Sequence, residues 1–346
     1  MCYKQERKLT NKIERDFTSL KKAVSGIRKS LKQGSDIDDV YSRLNALEVR
    51  LNSQLEVMSK FESIANRTKN AYDELLLTAI KKNSLPDEVF FDIAQAPDVR
   101  KISDALSQNG ICIIRDETIV ELARNAQSEM NDFLEKVKDD ISKKIYTELD
   151  DVIIDGVDEI KGGHNGRAGQ DKAVLHVRGG ADDGLVDVFN ADRIFPSLAA
   201  IKEGLRTGYV KDVIDRAIPG MEFENINVYI NKGVTKTRGF HYDSRSPVVK
   251  IFIVLTDVPD HSYGPYCYEL GSHLDEVTIE ESFSGIGFTS FRKNDAYFSN
   301  YKNVIACLGK VGDIVISYQH GSHRGFPQSP DRTRMMGVQV LRPKKP

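Results

Sequence analysis

The sequence predicts an α+β protein: an α-helical coiled-coil hairpin over residues 1–85, then a strand-rich domain with flanking helices over residues 86–346. Three observations carry this reading. An apolar seam at steps of three and four runs through the first part, and short β-branched runs bounded by Gly, Pro, Asn and Asp fill the last third. No helix-length pattern separates those runs, which argues for a sandwich or barrel and against a parallel doubly wound sheet.

The seam begins with Ile13, Phe17, Leu20, Val24, Ile27 and Leu31. Gly34 ends it, and Ser35 with Asp38 reads as the capping box of a second helix. The apolar rhythm resumes at Ile37 and Val40, continues through Leu44, Leu47, Leu51 and Leu55, and extends less regularly to Tyr72, Leu76 and Ile80. A hairpin of this kind buries its seam only against another surface, so self-association into a homo-oligomer is expected. Pro86, in a short polar break, marks the expected boundary.

Beyond it, residues 99–106 read as a helix, Gly110 to Arg115 as a buried strand, and Thr118 to about Lys144 as a long amphipathic helix. From Asp150 to Asn190, apolar runs alternate with glycine-rich stretches, including Lys161 to Arg167 and Arg178 to Gly184, which read as binding loops. A helix from Pro196 to Ile214 precedes the strands expected at Asn225 to Ile230, Val248 to Leu255, Ala296 to Phe298, Ile314 to Ser317 and Met335 to Val340.

Composition narrows the function classes. Hydrophobic residues are 40% and charged residues 29% of 346, which excludes a disordered chain, and the formal net charge of -2 gives no overall attraction to nucleic acid. Residues 1–32 are basic, which reads as a solvated helix face. The four cysteines lack paired spacing, so neither a disulfide framework nor a zinc knuckle is expected, and reduced thiols suit a cytoplasmic location. No run approaches the ~18 apolar residues of a transmembrane segment.

The chemistry converges on His241 and Asp243. Two residues apart on an extended strand, they point the same way and can share one metal ion. A second histidine near the C-terminus, His320 or His323, would complete a ligand set of two His and one carboxylate, which suits Fe(II) and leaves coordination positions open. Lys250 interrupts an apolar strand, so it either faces solvent or pairs with a carboxylate, that of a cosubstrate included. Asp257 reads as a turn cap, and His164 and His176 as solvated loop residues, with contact to a substrate as their alternative role.

Residues from about 100 to 343 resemble the phytanoyl-CoA dioxygenase family of Fe(II)- and 2-oxoglutarate-dependent oxygenases. The resemblance rests on the order and spacing of several elements: the helix-to-strand stretch Leu106 to Arg115; His241 and Asp243; Thr256 to Val258, Gly264 to Tyr266 and Leu270 to His273; and Gly312-Asp313 followed by His323 eleven residues after Gly312. The tyrosine-glutamate-leucine run before Gly271 departs from the family, which has a proline there. The resemblance implies a double-stranded β-helix (jelly roll, cupin-like) catalytic domain, with His241, Asp243 and His323 as iron ligands and His320 as a neighbour. It also implies 2-oxoglutarate as cosubstrate, O2 as oxidant, and succinate and CO2 as products alongside a hydroxylated small molecule. Arg334, eleven residues beyond His323, occupies the family's position for the cosubstrate arginine, with Arg332 as its rival. Tyr229, Asn231 and Lys250 are the further candidates for the cosubstrate pocket, Tyr229 being equally suited to interior packing. A non-catalytic jelly-roll module binding a metabolite or glycan, multimerised by the hairpin, is the alternative.

Overall fold

The computed structural model describes residues 71, 73–93, 96–143, 152–154, 160–178, 182, 184–284, 294–296, 300 and 302–344. The chain divides into two compact units, Met1–Asn70 and Ala71–Pro346. The expected hairpin falls on the first unit, outside the described residues.

The second unit begins ahead of the boundary expected at Pro86. Residues 73–82 are helical, and Leu76 and Ile80, the last positions of the apolar seam, are buried with Phe240, Tyr242 and Phe326 of the strand-rich part. Their burial partner is thus the body of this unit.

Among the described residues twelve strands follow: β1 (Phe90–Asp92), β2 (Ile111–Arg115), β3 (Val152–Ile154), β4 (Ala173–Val177), β5 (Leu185–Phe189), β6 (Met221–Lys232), β7 (Val249–Val254), β8 (Tyr266–Glu269), β9 (Val304–Cys307), β10 (Ile314–Tyr318), β11 (His323–Gly325) and β12 (Thr333–Pro343). Nine form a large sheet in the order β1-β2-β10-β7-β12-β6-β5-β4-β3, antiparallel except at its two edges, and three form a small sheet, β11-β8-β9. Helices α1 (Val99–Asn109), α2 (Val120–Lys143), α3 (Gly163–Ala168), α4 (Pro196–Thr207), α5 (Tyr209–Ala217) and α6 (Glu276–Ser284) complete the unit.

Alternation along the strands makes two cores. One face of the large sheet, carrying Ile114, Val228, Ile253 and Ile316, packs under Leu106 of α1, Met130 of α2, Leu198 of α4 and Ile214 of α5. The opposite face, carrying Phe252, Val254, Val315, Met336 and Val338, packs against Tyr266, Tyr268 and Ile305 of the small sheet. Two opposed sheets around one interior, with helices outside the larger, are consistent with the expected jelly roll.

Three expectations change. The single helix expected from Pro196 to Ile214 is two helices, because Gly208 takes an extended backbone (φ -98, ψ -172) and ends α4. The glycine-rich stretch Lys161 to Arg167 contains α3, although Gly162 and Gly163 take positive φ at its start. The segment from Asp275 onward begins a helix, α6, which the strand-and-turn reading did not anticipate.

Candidate metal centre

His241 lies outside the regular strands but pairs antiparallel with His323. The two residues exchange both backbone hydrogen bonds, His241 N to His323 O and the reverse, each 3.0 Å. Directly opposed residues of an antiparallel pair carry their side chains on one face, and the two imidazole centroids are 4.5 Å apart. Asp243 is fixed two residues on, its N–H donating to Gln319 O at 2.8 Å.

The ring nitrogens are sorted by their partners. Nδ1 of His241 lies 2.9 Å from Gly239 O, and Nδ1 of His323 lies 2.9 Å from Gly321 O. A carbonyl only accepts, so Nδ1 carries the proton in both rings and each Nε2 is left with a lone pair. Those Nε2 atoms face the Asp243 carboxylate, at 3.5 Å to Oδ1 from His241 and 3.6 Å to Oδ2 from His323. The three donors lie within 4.8 Å of one another and could hold a metal ion. Bonds of about 2.1 Å place neighbouring ligands of an ion about 3 Å apart, so the group is close to a facial grip. The turn before His323 needs its glycine: a Cβ on Gly321 would sit 1.8 Å from the Tyr268 hydroxyl.

Protonation favours the same use. Burial, with His323 beside it, holds His241 down to about 4, so the ring is neutral near pH 7. Burial opposes ionisation of Asp243, yet Lys250 and the two imidazoles hold its carboxyl well below the usual range. Lys250 Nζ donates to Asp243 Oδ2 at 2.6 Å, and that partner raises its ammonium pKa against the opposing effect of burial. Of the options open to Lys250, the carboxylate it meets is therefore Asp243.

The donors line a cavity of about 540 Å³ that also holds Tyr229, Asn231, Lys250 and Arg334. His241, Asp243 and His323 are thus gathered in one place with Tyr229, Asn231, Lys250 and Arg334. Tyr229 is flanked by the Arg178 guanidinium (5.6 Å) and Lys250 Nζ (6.0 Å). Arg334 is 8% exposed; Nη2 donates to Asn231 Oδ1 at 3.0 Å, while Nε and Nη1 are buried without a partner. Burial pulls its pKa down to about 10, the mark of a cation lacking its anion. Arg332 is different: it precedes β12, its side chain is 40% exposed, and it stacks on Tyr263 at 4.9 Å.

Of the other candidates, His320, His273, Asp313 and Asp257 fall outside the cavity, and His164 and His176 line it. His320 packs on Tyr318 and His273, away from the carboxylate, and His273 Nε2 donates to Ser107 O, a loop-fixing contact. Asp313 of the glycine-aspartate motif is gripped at two points by Arg115 (3.0 and 2.9 Å) and holds a turn. Asp257 accepts from Val311 N, as a turn cap does. His164 is not a solvated loop residue: it lines the cavity, edge-on to Phe189 at 4.9 Å, and burial holds it down to about 4. His176, on β4, lies 3.6 Å from Asp187.

The sequence reading missed Asp187 and Gln319, and marked Arg178 only as the start of a binding loop. Asp187 is fully buried in the cavity wall and takes two bonds from Arg178, at 2.6 and 2.9 Å. A carboxylate at the centre of the apolar run Leu185 to Phe189 was the available signal, the same argument that singles out Lys250. Gln319, fully buried, donates Nε2 to Tyr266 Oη and Ser317 Oγ and leaves Oε1 without a partner; nothing in its sequence context marks it.

No protein-family model matches the chain, and no curated protein matches it in sequence. Similar solved structures exist. The epimerase SnoN, in complex with Fe3+, alpha ketoglutarate and nogalamycin RO, is 12% identical over 71% of this chain and 83% of its own, with a TM-score of 0.44. The carbocyclase SnoK from nogalamycin biosynthesis is 16% identical over 75% and 87%, TM-score 0.42. HygX from Streptomyces hygroscopicus, with nickel, 2-oxoglutarate and hygromycin B bound, is 12% identical over 69% and 85%, TM-score 0.40. At these scores the likenesses assign this chain no reaction, and its chemistry has to be argued from its own residues.

Proposed function

We propose that the chain is an Fe(II)- and 2-oxoglutarate-dependent dioxygenase on a double-stranded β-helix, of the kind its motifs resemble, hydroxylating a small or medium-sized organic substrate. One observation carries the reading: a buried arginine with two unpartnered donor atoms shares a cavity with two imidazole nitrogens and a carboxylate. The three donors fit a divalent iron, and the arginine calls for a carboxylate that protein groups do not provide.

His241, Asp243 and His323 would hold the iron, and Arg334, steadied by Asn231, would bind the distal carboxylate of 2-oxoglutarate through its planar fork. Bound together, iron, 2-oxoglutarate and O2 supply the oxidation of a substrate C–H bond, with succinate and CO2 released. The chain's own contribution is position and charge. Lys250 anchors Asp243 Oδ2 and leaves Oδ1 facing His241. Tyr229, between Arg178 and Lys250, forms one wall of the cosubstrate end, and His164 offers a neutral imidazole to whatever occupies the rest of the cavity. Epimerisation and ring closure are also reported for the similar proteins named above, so hydroxylation is the narrower part of the proposal.

The test is anaerobic calorimetry followed by turnover. Fe(II) should bind, 2-oxoglutarate should bind only after it, and aerobic succinate release should vanish in His241→Ala. Metal binding without any 2-oxoglutarate affinity would sink the oxygenase reading in favour of a non-catalytic binding module. The apolar seam of residues 1–85 adds homo-oligomerisation to the proposal, measurable by light scattering. Among the described residues Cys112, Cys267 and Cys307 are free thiols, which supports a cytoplasmic location. Among the described residues, no helix is long and apolar enough to cross a membrane.

A further inference from the structure

Strand alternation that turns His323 toward Asp243 turns the next side chain, Arg324, to the other face of β11. There Arg324 is only 1% exposed. A guanidinium removed from water to this degree needs a counter-charge and filled donors. It obtains both: Nη1 pairs with the Asp73 carboxylate, Nη2 donates to Thr237 Oγ1 at 3.0 Å, and Nε donates to Gly325 O at 3.2 Å. Thr237 Oγ1 donates in turn to Gly325 O at 2.8 Å, and the guanidinium lies 5.7 Å from the centre of the Phe240 ring.

These partners belong to three separate pieces of chain. Thr237 and Phe240 lead directly into His241, Gly325 follows His323, and Asp73 stands on the helical segment 73–82. Leu76 and Ile80, further along that helix, are buried in the same cluster as Phe240 and Tyr242, the two neighbours of His241. The two histidine-bearing segments are therefore joined by their reciprocal backbone bonds, by the Thr237 to Gly325 hydrogen bond, and by one cation whose carboxylate partner comes from far upstream.

We propose that Asp73 and Arg324 are positioning residues of the metal centre: their ion pair, beside the histidine-bearing segments and away from the three donor atoms, sets the spacing of His241 and His323 and so the metal affinity. This rests on the reading that those histidines bind the metal. Without Asp73 the buried guanidinium seeks water or another acceptor and pulls on both ligand-bearing segments. Asp73 is about one third exposed, so its replacement removes the charge without opening a core cavity.

The experiment uses the full chain and Co(II), whose visible absorption reports both binding and ligand geometry. Co(II) titration should give at least a ten-fold higher Kd for Asp73→Ala, with an altered band shape, and Asp73→Glu should recover most of the loss. Ile201→Ala, a core truncation on α4 far from the ion pair, controls for general destabilisation and should lower the Tm while keeping the Co(II) Kd within two-fold. An Asp73→Ala chain that binds Co(II) like the unmodified protein overturns the inference, as does Ile201→Ala weakening Co(II) equally at a matched Tm loss. Absence of Co(II) binding in the unmodified chain overturns the metal reading and this inference together.

Discussion

Two pairs of histidines are each brought together in space from distant parts of the chain, and they differ in almost everything that matters for metal chemistry. His241 and His323 each give Nδ1 to a backbone carbonyl and turn Nε2 toward Asp243. His273 and His320, ring centroids 5.9 Å apart, leave both Nδ1 atoms buried without a partner, and no carboxylate joins them in a metal-binding group among the described residues. Burial keeps a member of each pair neutral, with His241 and His320 both held down to about 4. Neutral imidazoles are therefore not sufficient. The difference lies in a carboxylate between the rings, in backbone partners that hold Nδ1 and leave Nε2 turned to it, and in a cavity in front.

The largest test of this contrast is substitution within the pairs. His323→Ala should weaken Fe(II) or Co(II) binding by at least about 100-fold, the cost of one ligand and its hydrogen-bonded frame. His320→Ala should leave the affinity within about two-fold. Equal losses from both variants, read by metal titration, would erase the distinction between the pairs.

Next in size is the cavity itself. Arg334→Met should raise the 2-oxoglutarate Kd by about 100-fold, as expected for loss of charge-assisted bonds worth about 1.5–3 kcal/mol each. Metal affinity should stay within about three-fold. Arg332→Met, a change at a half-exposed side chain, should alter neither. Calorimetry of the cobalt-loaded chain separates these outcomes, and a larger effect at Arg332 would reassign the cosubstrate arginine.

The smallest effect is on stability against pH. A histidine near 6.5 when unfolded and near 4 when folded takes up its proton in the unfolded state first. Its contribution to stability is complete above about pH 6.5, falls as pH drops toward 4, and is gone below that. In the metal-free chain His320→Asn should flatten this decline, measured as the urea midpoint between pH 7 and pH 4. The added metal should deepen the decline in the unmodified chain and in His320→Asn alike, because the metal requires neutral rings only at His241 and His323.

Legibility in the sequence followed the range of the physics. The spacing of His241 and Asp243 needs only the two-residue alternation of an extended chain, so it could be read locally. Lys250 was visible because a lone charge in an apolar strand demands a partner, though which carboxylate it finds depends on β7 lying across from β10. The choice of Arg334 over Arg332 was open to a motif offset, but the reason for it is tertiary: β12 begins at Thr333, so Arg332 leaves the strand and stacks on Tyr263. β4 and β5 were blurred into one glycine-rich region, and the short strands β8 and β9 carry too few residues to show a period. Nothing in the sequence around Arg324 marks it as buried; its counter-charge, Asp73, lies far upstream.

The reciprocal bonds between His241 and His323 also bear on how the protein reaches its working state. No local segment contains the metal centre. Its two imidazoles meet only where the arm from Gly239 to Asp243 lies alongside β11, a contact between residues distant in the chain, of the kind whose loop closure is costly. Any metal affinity of this group therefore depends on tertiary structure.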